Sequence, residues 1–253
     1  MKIGVFDSGH GGVTVLREAL LMLPQEDYIY FADTLHVPYG EKSKEELKEY
    51  IMDAVDFLRN KGIKALIVAC NTATSVAIKE LRQKYDFPII GMEPAVKPAI
   101  QNGGGKRVMV FATPLTLKEE KFHHLITQVD KNNIVDYLAL PELVTFAENL
   151  EFSEGAIIPY LREKLSIFDI SQYSTVVLGC THFPLFKDSF EKVFSQATKI
   201  IDGSHGTVKR LIDVLEENNI MGGGNGKIEY YSSGGSKEDA HKFSNCLIRA
   251  TSI

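Results

Sequence analysis

Two textures alternate along the chain. Short apolar, β-branched runs read as strands, and longer runs with one apolar face read as helices. Lys2–Phe6 predicts a strand, followed by a glycine-rich loop and a helix over Val13–Leu23. A strand at Tyr28–Ala32 and a helix at Ser43–Asn60 come next, with Ser43 and Glu46 spaced as a capping box. Lys64–Ala69 and Phe87–Ile90 predict strands, and Thr72–Tyr85 and Pro94–Gln101 predict helices. The run Gly103-Gly104-Gly105 signals a loop, after which the pattern restarts. Strands are expected at Arg107–Ala112, Ile134–Ala139, Thr175–Leu178, Lys199–Ile201 and Lys227–Tyr231. Helices are expected at Leu115–Val129, Glu154–Leu165, Phe183–Phe194, Thr207–Asn218 and Lys237–Arg249. Fully apolar strands alternating with helices predict an α/β fold, a mostly parallel sheet covered on both faces.

The restart carries a faint echo. Val5-Phe6-Asp7-Ser8-Gly9 is similar to Val110-Phe111-Ala112-Thr113-Pro114, and Ile67-Val68-Ala69-Cys70-Asn71-Thr72 to Val177-Leu178-Gly179-Cys180-Thr181-His182. The echoes keep their order and nearly the same offset. They suggest two copies of one α/β unit, with Cys70 and Cys180 at equivalent positions.

Composition narrows the classes. The 253 residues are 44% hydrophobic and 24% charged, ordinary values for a folded globular protein. Lys and Arg number 28 against 33 for Asp and Glu, a net charge of -5 that argues against a nucleic-acid-binding protein. No apolar run approaches the roughly 20 residues of a membrane span, and the N-terminal residues lack a secretory signal. Three cysteines are too few and odd in number for a disulfide framework. The expectation is a soluble, cytoplasmic protein with reduced thiols.

Those thiols are the informative part. Cys70 and Cys180 each stand where a buried strand ends and a helix begins, at the sheet edge where open α/β folds bind ligands. A helix N-terminus offers free N–H groups and partial positive charge, which favour a thiolate. Asn71, Thr72 and Thr74 after the first cysteine and Thr181 after the second add donors for an anionic ligand. One such cysteine alone reads as a small buried hydrophobe. Two in matched contexts point to function. They are too far apart in sequence for a Cys-x-x-Cys redox pair, and no compact zinc-ligand set surrounds them. A matched pair suits two-base chemistry, one thiol taking a proton from one face of a carbon and the other delivering one to the opposite face. Asp7-Ser8-Gly9-His10-Gly11-Gly12 reads as an anion-binding turn, though neither a dinucleotide fingerprint nor a Walker loop. Asp7 ends its strand and is the residue to watch. His182 is a possible acid–base partner for Cys180. His123 and His124 read as surface or packing residues and Cys246 as core, while His10, His36, His205 and His241 show no evident partner.

Phe6-Asp7-Ser8-Gly9, Pro38-Tyr39-Gly40, Cys70-Asn71-Thr72-Ala73-Thr74 and Gly179-Cys180-Thr181-His182 together resemble, in order, the motif set of the cofactor-independent glutamate racemases of the aspartate/glutamate racemase superfamily. The resemblance runs from Lys2 to at least Asp202-Gly203-Ser204. It implies two pseudo-symmetric α/β domains, residues 1–97 with 207–253 and residues 98–206, with the active site in the cleft between them. It implies interconversion of L- and D-glutamate without pyridoxal phosphate, metal or nucleotide, supply of D-glutamate to peptidoglycan synthesis, and a homodimer. Cys70 and Cys180 match the catalytic thiols, Cys180 acting on L-glutamate and Cys70 on D-glutamate. Asp7 and His182 match the residues that assist them. Asp7-Ser8, Tyr39-Gly40, Asn71-Thr72 and Thr181-His182 match the substrate-binding pairs. Glu148, in Pro141–Glu148, is the best match to a further acidic residue, with Glu151 and Glu154 close by; Leu140 stands where the family usually has Cys. Some members carry an N-terminal extension tied to activation by a cell-wall precursor. Here the first strand starts at Lys2, so no such activation is expected. Two other readings stay open: a superfamily member acting on aspartate or a hydantoin, and a non-catalytic module that holds a small anion between two lobes.

Overall fold

The computed structural model describes residues 1–253. β1 (Lys2–Asp7), α1 (Val13–Met22), β2 (Tyr28–Ala32), α2 (Lys44–Asn60), β3 (Ile63–Val68), α3 (Asn71–Lys84), β4 (Ile89–Gly91) and α4 (Val96–Asn102) form the first run. β5 (Arg107–Ala112), α5 (Pro114–Lys118), α6 (Glu120–Val129), β6 (Val135–Ala139), α7 (Glu142–Glu148), α8 (Glu154–Leu165), β7 (Tyr173–Leu178), α9 (Lys187–Val193) and β8 (Lys199–Asp202) form the second. α10 (Ser204–Glu217), β9 (Ile228–Ser232) and α11 (Lys237–Ser252) close the chain. No helix is long and apolar enough to cross a membrane.

The strands build two parallel sheets, ordered β4-β3-β1-β2-β9 and β8-β7-β5-β6. Apart from β9, the second order repeats the first strand for strand. The echo in the sequence is the register of this repeat. Val5 pairs with Ile67 and Phe6 with Val68, as Val110 pairs with Val177 and Phe111 with Leu178. Ala69 N–H donates to the Phe6 carbonyl at 2.8 Å, and Gly179 N–H to the Phe111 carbonyl at 2.7 Å. Both cysteines therefore leave their sheets at the same point of the same unit. β9 joins the first sheet from the far end of the chain.

Alternation along β1 explains the covering on both faces. Ile3 and Val5 enter a large apolar cluster with α1, α10 and α11, while Phe6 enters a second one beneath α2 and α3. The Ser43–Glu46 capping box forms as expected.

Two helical expectations need correction, and one helix is additional. The helix expected over Leu115–Val129 is interrupted at Glu119, which takes an extended conformation so that its buried carboxylate pairs with Lys44 of α2 at 2.8 Å. Phe183–Phe186 winds as a tighter 3-10 turn before α9, with Pro184 in its first turn. α7 was not expected; its single apolar stripe, Leu143, Val144 and Ala147, is too short to show a period but is buried in the core.

Candidate active site

The chemistry-bearing residues converge where the carboxyl ends of β1, β3 and β7 face one another. Cys70 N-caps α3, its Sγ accepting the Ala73 N–H at 3.3 Å. Cys180 follows β7. Both are buried and line one narrow cavity together with Ser8, Tyr39, Asn71, Thr72, Thr113 and Thr181. The cavity volume is about 20 Å³, space for about one water molecule. Gly40 sits at its rim, where a Cβ would come within 2.7 Å of Thr113, so the Tyr39-Gly40 turn closes onto the opposite unit.

The two thiols have unlike surroundings. Burial pushes the Cys70 thiol up to about 12, reinforced by the Asp7 charge and only partly opposed by the Ala73 N–H and the Ser8 hydroxyl. Cys180 instead has a basic side chain at hand: its Sγ lies 3.8 Å from His182 Nδ1. The other ring nitrogen, His182 Nε2, meets Glu148 Oε1 at 2.7 Å. Burial alone would lower the His182 pKa, but the contacts with Cys180 and Glu148 win and raise it well above its ordinary value. Burial likewise pushes Glu148 up, yet hydrogen bonds from His10 and His182 hold its carboxyl below the usual carboxylate range. A carboxylate–imidazole–thiol chain therefore stands behind one face of the cavity only.

Asp7 is fully buried and holds the glycine loop and the two units together. Its Oδ2 accepts the N–H groups of Gly9 at 3.2 Å and Gly12 at 3.0 Å, and its Oδ1 accepts the Thr181 hydroxyl at 3.1 Å. Burial pushes its carboxyl up in spite of these donors and of the nearby His182. A second bridge is made of hydroxyls: Thr72 Oγ1 lies 2.9 Å from Thr113 Oγ1 and 3.2 Å from Thr116 Oγ1. Tyr39 donates its hydroxyl to the buried Asp33 at 2.6 Å. Asn71 donates to the Met92 carbonyl at 3.4 Å, and its Oδ1 has no protein partner.

Two expected ligand residues do not line the cavity, the fully buried Asp7 and Thr74. Thr74 donates its hydroxyl to the Val68 carbonyl and accepts from the Met92 N–H, so it fastens α3 to the sheet. Among the three acidic residues considered, Glu148 reaches the site. Glu151 accepts from the Ser153 N–H and Glu154 pairs with Lys192 at the surface. Cys246 is core, and His123 and His124 are exposed.

The histidines without evident partners all have them. His36 pairs with Asp33 at 2.8 Å, His205 with Glu18 at 2.8 Å, and His241 meets Asn245 at 3.1 Å. His10 matters most: it is buried, its Nδ1 lies 2.7 Å from Glu148 Oε2, and its Nε2 lies 3.1 Å from the Tyr230 hydroxyl. The sequence signal was its place between two glycines, which let the loop run close to its neighbours. No three His, Cys, Asp or Glu side chains converge as a metal-ligand set.

Comparison with known proteins agrees with this geometry. Residues 14–211 match the family model for Asp/Glu/hydantoin racemases. The chain is 61% identical to glutamate racemase 2 of Bacillus subtilis, over 92% of this chain and 89% of that one. It is 56% identical to the glutamate racemase of Halothermothrix orenii, over 98% of each. The solved structure of Escherichia coli glutamate racemase with L-glutamate and the activator UDP-MurNAc-ala superposes with a TM-score of 0.86 at 31% identity, covering 98% of this chain and 95% of that one. By sequence, fold and paired thiols, the chain belongs to the Asp/Glu/hydantoin racemase family.

Proposed function

We propose that this chain is a glutamate racemase working by two-thiol proton transfer between L- and D-glutamate. The observation that carries this reading is the pair of cysteines, each leaving β3 or β7 at the same register point and lining one cavity. The high identity to glutamate racemases supports the choice of substrate.

In the direction from L- to D-glutamate, Cys180 is the base, its proton passing to the His182 ring, whose Nδ1 lies 3.8 Å from Sγ. Its thiolate takes the α-proton, leaving the electron pair on Cα. Cys70, whose thiol is pushed up to about 12 and so keeps its proton, protonates Cα from the opposite face. Cys180 ends as thiol and Cys70 as thiolate, and the reverse reaction exchanges these roles. The substrate carboxylate is neutralised by hydroxyl and N–H donors of Ser8, Thr72, Thr113 and Thr181, which lowers the cost of charge building at Cα. Asn71 Oδ1 is a free acceptor for the ammonium. Each positioned acid or base contributes roughly 10²–10⁴-fold.

The two units of this reading are residues 1–97 with 207–253 and residues 98–206, supported by the return of β9 to the first sheet. The family resemblance supports a cytoplasmic homodimer whose D-glutamate enters peptidoglycan synthesis.

Circular dichroism of the reduced protein with L-glutamate, D-glutamate and L-aspartate tests the reading. Both glutamate signals should decay to zero while aspartate persists. Decay of aspartate alone would reassign the substrate, and no decay at all would leave a binding module.

A further inference from the structure

We propose that His10 is a positioning residue for the Cys180 side of the site, fixing the Glu148 carboxylate so that it holds the His182 ring against the thiol. This rests on the two-thiol reading above.

Glu148 Oε1 accepts two hydrogen bonds of 2.7 Å, from the His10 backbone N–H and from His182 Nε2. Its other oxygen, Oε2, meets His10 Nδ1, also at 2.7 Å. His10 thus uses both its backbone and its ring on one carboxylate, and its ring contact is the protein partner of Oε2. A carboxylate is free to turn about its last bond, and only Oε1 serves His182. The bond to Oε2 fixes that rotation.

His10 is itself held from behind. Its Nε2 meets the Tyr230 hydroxyl at 3.1 Å. The Tyr230 ring stacks on Phe243 with centroids 4.5 Å apart. In front, the loop presses onto the same groups: a Cβ at Gly9 would collide with Glu148, and one at Gly11 would lie 2.5 Å from His182 Nδ1. The series Tyr230, His10, Glu148, His182, Cys180 is continuous, and His10 does not line the cavity. Its effect must pass through Glu148, so it should fall on turnover more than on substrate binding.

Three variants separate donor, ring position and bulk. His10→Leu removes both ring contacts. His10→Asn keeps a donor near the Nδ1 position, toward Glu148. His10→Gln places its amide near the Nε2 position, toward Tyr230. Steady-state kinetics are measured beside wild type, with near-ultraviolet circular dichroism to verify folding. The downfield proton resonance of the His182 Nε2–H, assigned by its loss in His182→Asn, is followed by NMR. In His10→Leu and His10→Gln, kcat should fall roughly 10- to 100-fold with KM within about twofold, and the resonance should shift or broaden. His10→Asn should recover most of both signals. Folded His10→Leu or His10→Gln with wild-type kcat and resonance overturns the proposal, as does a folded His10→Asn as impaired as His10→Gln. If wild type fails to racemise glutamate, the functional reading falls, while the resonance still decides whether His10 fixes Glu148 and His182.

Discussion

A methyl group on Gly11 would lie 2.5 Å from Nδ1 of His182 and 2.7 Å from its backbone nitrogen. The glycine loop of the first unit and the residue that partners Cys180 in the second are therefore packed to contact, with no room for a single carbon. Gly11→Ala should displace the His182 ring from the thiol while leaving both sheets intact. A misplacement of about 1 Å is enough for a loss near 100-fold. Racemisation rates and a thermal melt, measured together, check this; a variant with full activity would show that His182 does not need this position.

Removing either thiol should be more severe. On the two-thiol reading, Cys70→Ala and Cys180→Ala each delete a proton carrier, and each should lower racemisation in both directions by at least roughly 10²–10⁴-fold. The equilibrium between enantiomers ties the two directions, so kcat/KM must fall equally for L- and D-glutamate. A variant that retained wild-type rates would remove its cysteine from the mechanism.

The Glu148–His182 pair gives stability a definite pH window. Glu148 has a folded pKa below its ordinary 4.5, so its contribution is full above that value and is lost as pH falls below it. His182 has a folded pKa above its ordinary 6.5, so its contribution is full below 6.5 and is lost as pH rises toward the folded value. Both are present between about 4.5 and 6.5. Urea unfolding of wild type and Glu148→Gln should show a stability gap in that window that narrows as pH drops below 4.5. A gap that stays constant down to pH 3 would mean that the carboxylate charge is not what Glu148 contributes.

A second buried pair serves the fold alone. Lys64 Nζ lies 2.6 Å from Glu26 Oε2 and donates to the carbonyls of Ile220 and Gly222, which pins the glycine-rich segment leading into β9. Both side chains are almost fully buried. Lys64→Met leaves the buried Glu26 charge without its partner and removes the donor to two carbonyls, and should lower unfolding free energy by roughly 3–5 kcal/mol. The exposed pair Arg210–Glu217 should be worth about 0–1 kcal/mol. Denaturant midpoints of Lys64→Met and Arg210→Ala compare the two directly.

What could be read in the sequence is what depends on local pattern. β1, β3, β5 and β7 announce themselves as apolar runs, and the two cysteines stand out because each ends such a run beside polar capping residues. The echo between the halves proved to be literal strand register. Sequence pattern failed where two distant segments meet. The contact of His10 with Glu148 spans 138 positions and that with Tyr230 spans 220, and no periodicity encodes them. The break at Glu119 is similar, because it answers to Lys44 in the other unit. Thr74 misled for the opposite reason: it has the right chemistry in the right motif, but it points to the sheet.

The cavity between the thiols has consequences for association. A space of about 20 Å³ is that of about one water molecule, too small for glutamate unless the lining residues move apart. Binding must begin from a more open population, and the apparent affinity is the intrinsic one reduced by the fraction of molecules that are open. The contacts that bridge the units, Thr72 with Thr113 and Thr116 and Thr181 with Asp7, therefore act in two opposed ways. Loosening them enlarges the receptive population and speeds capture, and the same change weakens the dry enclosure in which the proton is moved.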